Sequence, residues 1–332
     1  MRTRFILLTA TAVALLSVAA SAPQSGSQLA TLKGEIRVDG SSTVYPITEA
    51  VAEDFSKAAK GVRTTVGVSG TGGGFKRFCK GETDISDASR PITKSEVETC
   101  KSANIEFVEL PVAYDGLCIA ISKQNTWATK LTVDQIRKIY SASGTAKTWK
   151  DLDSAWPDRA IKVYSPGTDS GTFDYFKEVT VGRDGKVRSD MSVSEDDNVL
   201  VNGVAGDRDA IGYFGFAYYV ENKDKLVAVA VDDGKGAVLP TDATILDGSY
   251  EPFSRPVFIY VNRKSADRPE IGAFVDFYLQ QAAALSKEVG YTPLPESIYG
   301  TARTNWKARR TGTQFLDAKG DKVSGSLANV YK

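Results

Sequence analysis

The stretch YSPGTDSGTFDYF, residues 164–176, sets Ser170 between Asp169 and Gly171. Its pattern reads as a strand end, a tight turn and a helix start. A serine in such a turn has two chemistries open to it: nucleophile, or one wall of an anion cradle. GTDSGT puts the serine one place late for a G-x-S-x-G elbow. The chain contains no histidine, which removes every Ser-His-Asp, Cys-His and histidine-ligated metal site at once. No S-x-x-K supplies a lysine base at this turn either. The residues favour the cradle, with a plain helix cap as the bland reading and a serine-dependent hydrolase or phosphatase as the enzymatic alternative.

The same design occurs three times. DGSSTVYP (39–46), SGTGGGF (69–75) and TDSGTF (168–173) each end a strand in small hydroxyl-bearing residues and open a helix. Such turns aim unpaired backbone N–H groups, and the positive end of the helix dipole, at one spot. Hydroxyls there add donors without adding charge. Capping alone explains any single turn. Three in one chain fit a shared anion, because in open α/β sheets the binding crevice lies at the strand carboxyl ends.

The surrounding segments alternate as such turns require. GEIRVDG, VRTTVGVSG, TDISDASRPI and IEFVELPVAYDGLCIAIS read as strands or extended chain. PITEAVAEDFSKAA, with Pro46 in its first turn, GGGFKRFCKG and KSEVETCKSAN read as helices between them. The style repeats with TVDQIRKIYSA, capped by Thr132, then RAIKVYSPG, SGTFDYFKEVT, RPVFIYVNR and PEIGAFVDFYLQQAAAL. AIGYFGFAYYV is apolar and aromatic and reads as core, whereas the tail from GYTPLPESIYG onward shows little core of its own. The fold class is α/β in two lobes joined by two extended crossings, near residues 112–118 and 252–260. We place lobe I at 32–113 and 256–332, and lobe II at 114–255.

Residues 1–22 read as a signal peptide: Arg2 and Arg4, the apolar run FILLTATAVALLSVAA, and a small-residue cut at Ala20–Ala22. The run is short for a membrane anchor, the alternative. Residues 23–31 form a polar linker. Without Arg2 and Arg4 the chain carries 39 basic against 41 acidic residues, so an anion site must be local and a nucleic-acid surface is not indicated. Export implies an oxidising compartment, periplasmic or extracytoplasmic. Of the three cysteines, Cys79 and Cys100 flank a compact stretch and are paired in our reading, leaving Cys118 in the apolar run GLCIAI; three free thiols is the alternative.

At this point the chain resembles a known family, the periplasmic phosphate-binding proteins (PstS type) of phosphate ABC transporters. DGSSTVYP, SGTGGGFKRF, DISDASRPI and GTDSGTFDYF stand in that family's order and spacing. The resemblance implies a Venus-flytrap fold with two mixed sheets, phosphate buried between the lobes, no cofactor or metal, no catalysis, a monomer, and an inner-membrane ABC permease as partner. It assigns Ser42 as hydroxyl donor, Thr43 as amide donor, Thr71 as hydroxyl donor, and Ser170, Gly171 and Thr172 as donors from the other lobe. Two positions depart from the pattern: Pro166 stands where the family has an arginine, and Ser89 where it has a ligand aspartate. Arg90, held extended before Pro91, is therefore expected to supply the guanidinium. Asp115 is expected to accept the phosphate proton, with Asp87 and Asp169 as second choices. That acceptor decides phosphate over sulfate or another tetrahedral oxyanion. A fold kept only for adhesion or matrix contacts is a third reading.

A buried dianion is stable only when nearly every lone pair meets a donor. At about −1.5 kcal/mol per heavy atom for the best tiny ligands, five-atom phosphate reaches about −7 to −8 kcal/mol, a Kd of about a micromolar. Approaching that ceiling requires both lobes to close and exclude water, hence a hinge at the two crossings.

Overall fold

The computed structural model describes residues 26–332 apart from residues 169, 183, 195 and 324. A short helix α1 (Gly26–Leu29) leads into β1 (Gly34–Gly40), α2 (Tyr45–Ala58), β2 (Val62–Val68), α3 (Thr71–Phe78), β3 (Ile85–Ala88) and α4 (Lys94–Ser102). The reasons are local. In β1, Ile36 and Val38 alternate inward. In α2, Ile47, Val51 and Phe55 recur every fourth residue on the buried face, behind Pro46 in the first turn. In α4, Thr93 and Glu96 form a capping box.

The long strand β4 (Phe107–Ser122) then carries the chain into the second lobe and is buried from end to end. There follow β5 (Lys130–Thr132), α5 (Val133–Tyr140), β6 (Lys162–Pro166), α6 (Gly171–Thr180), β7 (Ser192–Ser194), α7 (Asp197–Gly206) and β8 (Ala210–Gly215). After them come α8 (Phe216–Glu221), β9 (Leu226–Ala228), β10 (Ala230–Asp232), β11 (Ala237–Val238) and α9 (Asp242–Leu246). Thr132 caps α5 by accepting the Gln135 amide. The chain returns through β12 (Ser254–Asn262) to α10 (Pro269–Glu288), α11 (Glu296–Lys307) and α12 (Leu327–Val330).

The strands lie in the order β2-β1-β3-β12-β4-β8-β6-β7, with β9 also on β4, beside a small sheet β11-β10-β5. The two mixed sheets expected from sequence are thus halves of one path that share β4. Its first part pairs antiparallel with β12, from Phe107 opposite Asn262 to Gly116 opposite Ser254. Its second part, Leu117–Ile121, pairs with β8. The β4–β12 register slips between Val257 and Phe258, close to Pro111 and Pro256. Both crossings named from sequence are therefore one two-stranded ribbon with a bulge in it.

The tail has no core of its own. It lays Tyr299, Trp306, Phe315 and Tyr331 onto the first lobe, and Tyr299 and Tyr331 donate to the β4 carbonyls of Val112 and Glu109. Cys79 is bonded to Cys100, tying the end of α3 to α4, and Cys118 is a buried thiol. Among the described residues no helix is long and apolar enough to cross a membrane. The expected signal peptide lies outside the described residues.

Candidate anion-binding site

The first turn follows β1. Gly40 has a φ of 148°, and a Cβ there would lie 2.2 Å from the Asp87 carbonyl, so only glycine lets β1 run this close to the end of β3. The chain then wraps onto the neighbouring strand: the Ser41 amide donates to the Asp87 carbonyl at 3.0 Å. The Thr43 amide donates to Ser41 Oγ at 3.2 Å. This leaves the Ser42 hydroxyl and the Thr43 side chain facing the opposite lobe.

The turn before α6 meets them there. Ser170 caps α6, its Oγ accepting the Thr172 amide at 3.2 Å. Gly171 packs on the Ser42–Thr43 backbone: a Cβ at Gly171 would sit 2.6 Å from Thr43 Cα. Two hydrogen bonds close the gap, Ser42 Oγ to Asp174 Oδ2 at 3.1 Å and Thr43 Oγ1 to the Gly171 carbonyl at 3.4 Å. A cavity of about 220 Å³ opens beside this contact. Ser42, Asp115, Ser170, Gly171 and Thr172 line it, together with Tyr45, Asp197, Tyr218 and Tyr291. Tyr218 belongs to the aromatic run read from sequence as core; Tyr213, Phe214 and Phe216 are buried as expected, and Tyr218 faces the cavity instead.

The remaining expected residues lie differently. Thr71 opens α3 and pairs with Ser89, Oγ1 to Oγ at 3.0 Å, while also accepting the Ser89 amide at 3.2 Å. Arg90 spends its guanidinium on Glu96, with two bonds of 2.8 Å, and on the Pro91 carbonyl at 3.1 Å. Thr43, Thr71, Ser89 and Arg90 do not line the cavity. Asp87 is fully buried under the first turn, and burial pushes its carboxyl up to about 8. Asp169 lies outside the described residues.

Arg255 lies beside the cavity rather than in its lining, paired with the lining residue Asp115. It stands on β12 directly opposite Asp115 on β4, and Nε donates to Asp115 Oδ2 at 3.3 Å. Nη2 donates to Thr43 Oγ1 at 2.9 Å. The guanidinium carbon lies 3.5 Å from the centre of the Tyr175 ring, and Nη1 is 3.9 Å from Glu178. Both partners of the ion pair are nearly buried, at 15% and 6% side-chain exposure. Burial raises the Asp115 carboxyl above its ordinary range, and the adjacent Arg255 charge opposes the rise. A signal for Arg255 exists in the sequence. Ser254-Arg255-Pro256 repeats the tripeptide Ser89-Arg90-Pro91, so the argument that a residue before proline is held extended applies to both arginines.

Two α/β lobes on a shared ribbon, with helix N-termini facing each other over a polar cavity, define a solute-binding protein of the type II periplasmic-binding fold. A model of the PBP superfamily domain matches residues 17–282. The protein SphX of Synechococcus elongatus is 49% identical over 300 residues, covering 90% of this chain and 88% of its own. The phosphate-binding protein PstS of Staphylococcus aureus is 38% identical over 318 residues, 95% of each chain. The crystal structure of a possible phosphate binding protein from Planctomyces limnophilus superposes with a TM-score of 0.82 at 44% identity, covering 84% of this chain and all of that one. The chain belongs to the PBP superfamily and, within it, to the family of SphX and the PstS phosphate-binding proteins.

Proposed function

We propose that this protein captures inorganic phosphate between its lobes and delivers it to an ABC-type permease, without chemistry of its own. The observation that carries the reading is the Arg255–Asp115 pair, set at the hinge ribbon beneath the contact between the Ser42–Thr43 turn and the Ser170–Thr172 turn. Arg255 offers a cation already buried and oriented. Ser42, Ser170, Gly171 and Thr172 offer hydroxyls and amides from both lobes, with the Thr43 hydroxyl held beside them by Arg255 and the Gly171 carbonyl. Several of these donors now serve internal acceptors: Ser42 bonds Asp174, and the Thr172 amide bonds Ser170 Oγ. An entering dianion takes their place, and the fixed dipoles replace its water. Asp115 is the acceptor for the proton of hydrogen phosphate, and its carboxylate repels the bare oxygen of sulfate. The lobe boundaries read from sequence fit this role, since both fall within the β4–β12 ribbon about which we expect closure.

The hydrolase alternative loses its support at Ser170, whose Oγ is engaged as a helix cap, in a chain without histidine. The PstS relative is a phosphate-binding protein. Export through residues 1–22, a periplasmic or extracytoplasmic location, a monomer and a membrane permease as partner complete the proposal.

Calorimetric titration of the purified protein with phosphate and with sulfate tests it. We expect phosphate to bind at micromolar Kd or tighter and sulfate at least 100-fold more weakly. Arg255→Ala should weaken phosphate at least about 30-fold, because truncating one member of a buried, hydrogen-bonded charge pair costs about 2–5 kcal/mol. Asp115→Asn should narrow the gap between the two anions. Heat from neither anion overturns the function; an unchanged Arg255→Ala affinity overturns the assigned cation.

A further inference from the structure

Tyr175 carries no polar contact to the cavity, yet its position is specific. It lies on α6, one turn after the cradle residues, with its side chain buried and its hydroxyl donating to the Pro252 carbonyl at 2.5 Å. The face of its ring lies 3.5 Å from the Arg255 guanidinium carbon. Arg255 belongs to the hinge strand, whereas Tyr175 belongs to the opposing helix. The guanidinium is therefore fixed on three sides by different elements: Asp115 of β4 at Nε, Thr43 of the first-lobe turn at Nη2, and the ring of α6 across its face.

An arginine fork has five N–H groups in one plane. Asp115 and Thr43 direct two of them, and the 3.9 Å approach of Glu178 to Nη1 is too long to do more than weakly restrain rotation of the plane about the Nε–Nη2 edge. A flat aromatic face removes that rotation, and its negative quadrupole attracts the cation in a site with little water to compete. The N–H groups of the fork then keep one direction while α6 is in place.

We infer that Tyr175 is a positioning residue for anion recognition, acting through the face of its ring on Arg255. The inference rests on the reading of Arg255 as the phosphate's cation. It has a further consequence. Because α6 also carries the Ser170–Thr172 turn, the same rigid element that brings the amides also orients the arginine, so both donor sets come into register in one motion.

Substitutions at position 175 separate ring face from hydroxyl and from bulk. Tyr175→Phe keeps the ring and should bind phosphate within about twofold of the parent. Tyr175→Leu keeps bulk without the face and should weaken phosphate by about tenfold, midway between exposed and desolvated cation–π contacts. Phenylalanines bearing one, two and three ring fluorines at position 175 keep the shape and drain the negative face. We expect the phosphate Kd to rise stepwise with fluorination, and this series decides the matter even where Tyr175→Leu does not fold. In an Arg255→Ala background the fluorine series should go flat. A phosphate Kd indifferent to fluorination in the parent, or a Phe variant as weak as Leu, overturns the role of Tyr175. Arg255→Ala binding as tightly as the parent overturns the underlying reading instead.

Discussion

Arg90 and Arg255 occupy the same tripeptide and do opposite work. Arg90 bonds Glu96 of a capping box and lies 5.7 Å from the Phe75 ring, with Glu178 of α6 adding to the charge around it. Arg90→Ala should lower the unfolding free energy by about 1.5–3 kcal/mol, the range for hydrogen bonds to a charged group, and shift phosphate affinity by less than threefold. Urea unfolding and calorimetry on the same variant check both halves. Local sequence exposed the three turns, the Thr132 cap and the Cys79–Cys100 pairing because each depends on neighbours within a few tens of residues. It did not expose Arg255, because the partner that gives it meaning, Asp115, is 140 positions away and is set by strand register. Asp87 makes a second residue-scale case. Its carboxyl is raised from 3.8 to about 8 by burial, with Asp39 adding repulsion. A group with a raised folded pKa contributes stability that is complete below the unfolded value and is lost as the pH climbs to the folded one. Wild-type stability should therefore fall between pH 4 and pH 8, and Asp87→Asn should flatten part of that fall in urea titrations at several pH values. Buried Glu109, raised to about 7, contributes in the same direction and accounts for a share that Asp87→Asn leaves in place.

Helix α6 is the element on which recognition turns. Its N-terminal turn brings Ser170, Gly171 and Thr172 to the cavity, its next residues reach Ser42 through Asp174 and Arg255 through Tyr175, and Glu178 lies near the same guanidinium. Gly171 is the tightest point, since a methyl group there overlaps the Thr43 backbone. Gly171→Ala should weaken phosphate at least tenfold by holding the turns apart. Because the residue sits at the first helical position, where alanine is well tolerated, the melting temperature should change little. Small-angle scattering with saturating phosphate should show the variant more extended than the parent. A compact variant with parental affinity would sink this account of closure. That α6 starts at this place was legible from SGTFDYF; that Asp174 crosses to the other lobe and Tyr175 meets the hinge strand was not, because helical spacing says which face is buried but not what it meets.

At the scale of the whole molecule, the order of strands and helices was readable from alternating patterns and turn residues. The sharing of β4 between two half-sheets was not. A continuous apolar strand of 16 residues reads the same whether one or two partners flank it. The Cys79–Cys100 bond acts at this scale too, closing a 21-residue separation within the first lobe. Replacing both cysteines by serine should cost about 2–4 kcal/mol in unfolding free energy, with phosphate affinity unchanged. Thermal melts and titrations of the double variant test the pair of statements.

The ribbon in which β4 and β12 cross has a mechanical corollary. Jaws that share a strand cannot part by sliding; the opening must be absorbed as bending and twist in the ladder around the slip at Val257 and Phe258. Asp115 and Arg255 ride on that same stretch, so in the binding mode we propose the anion grips the axle of the clamp as well as its lips. Backbone amides of residues 111–116 and 254–258 should then exchange hydrogen more slowly once phosphate is bound, by more than those at the centre of β1. Equal protection in both places would mean that the axle does not feel the load.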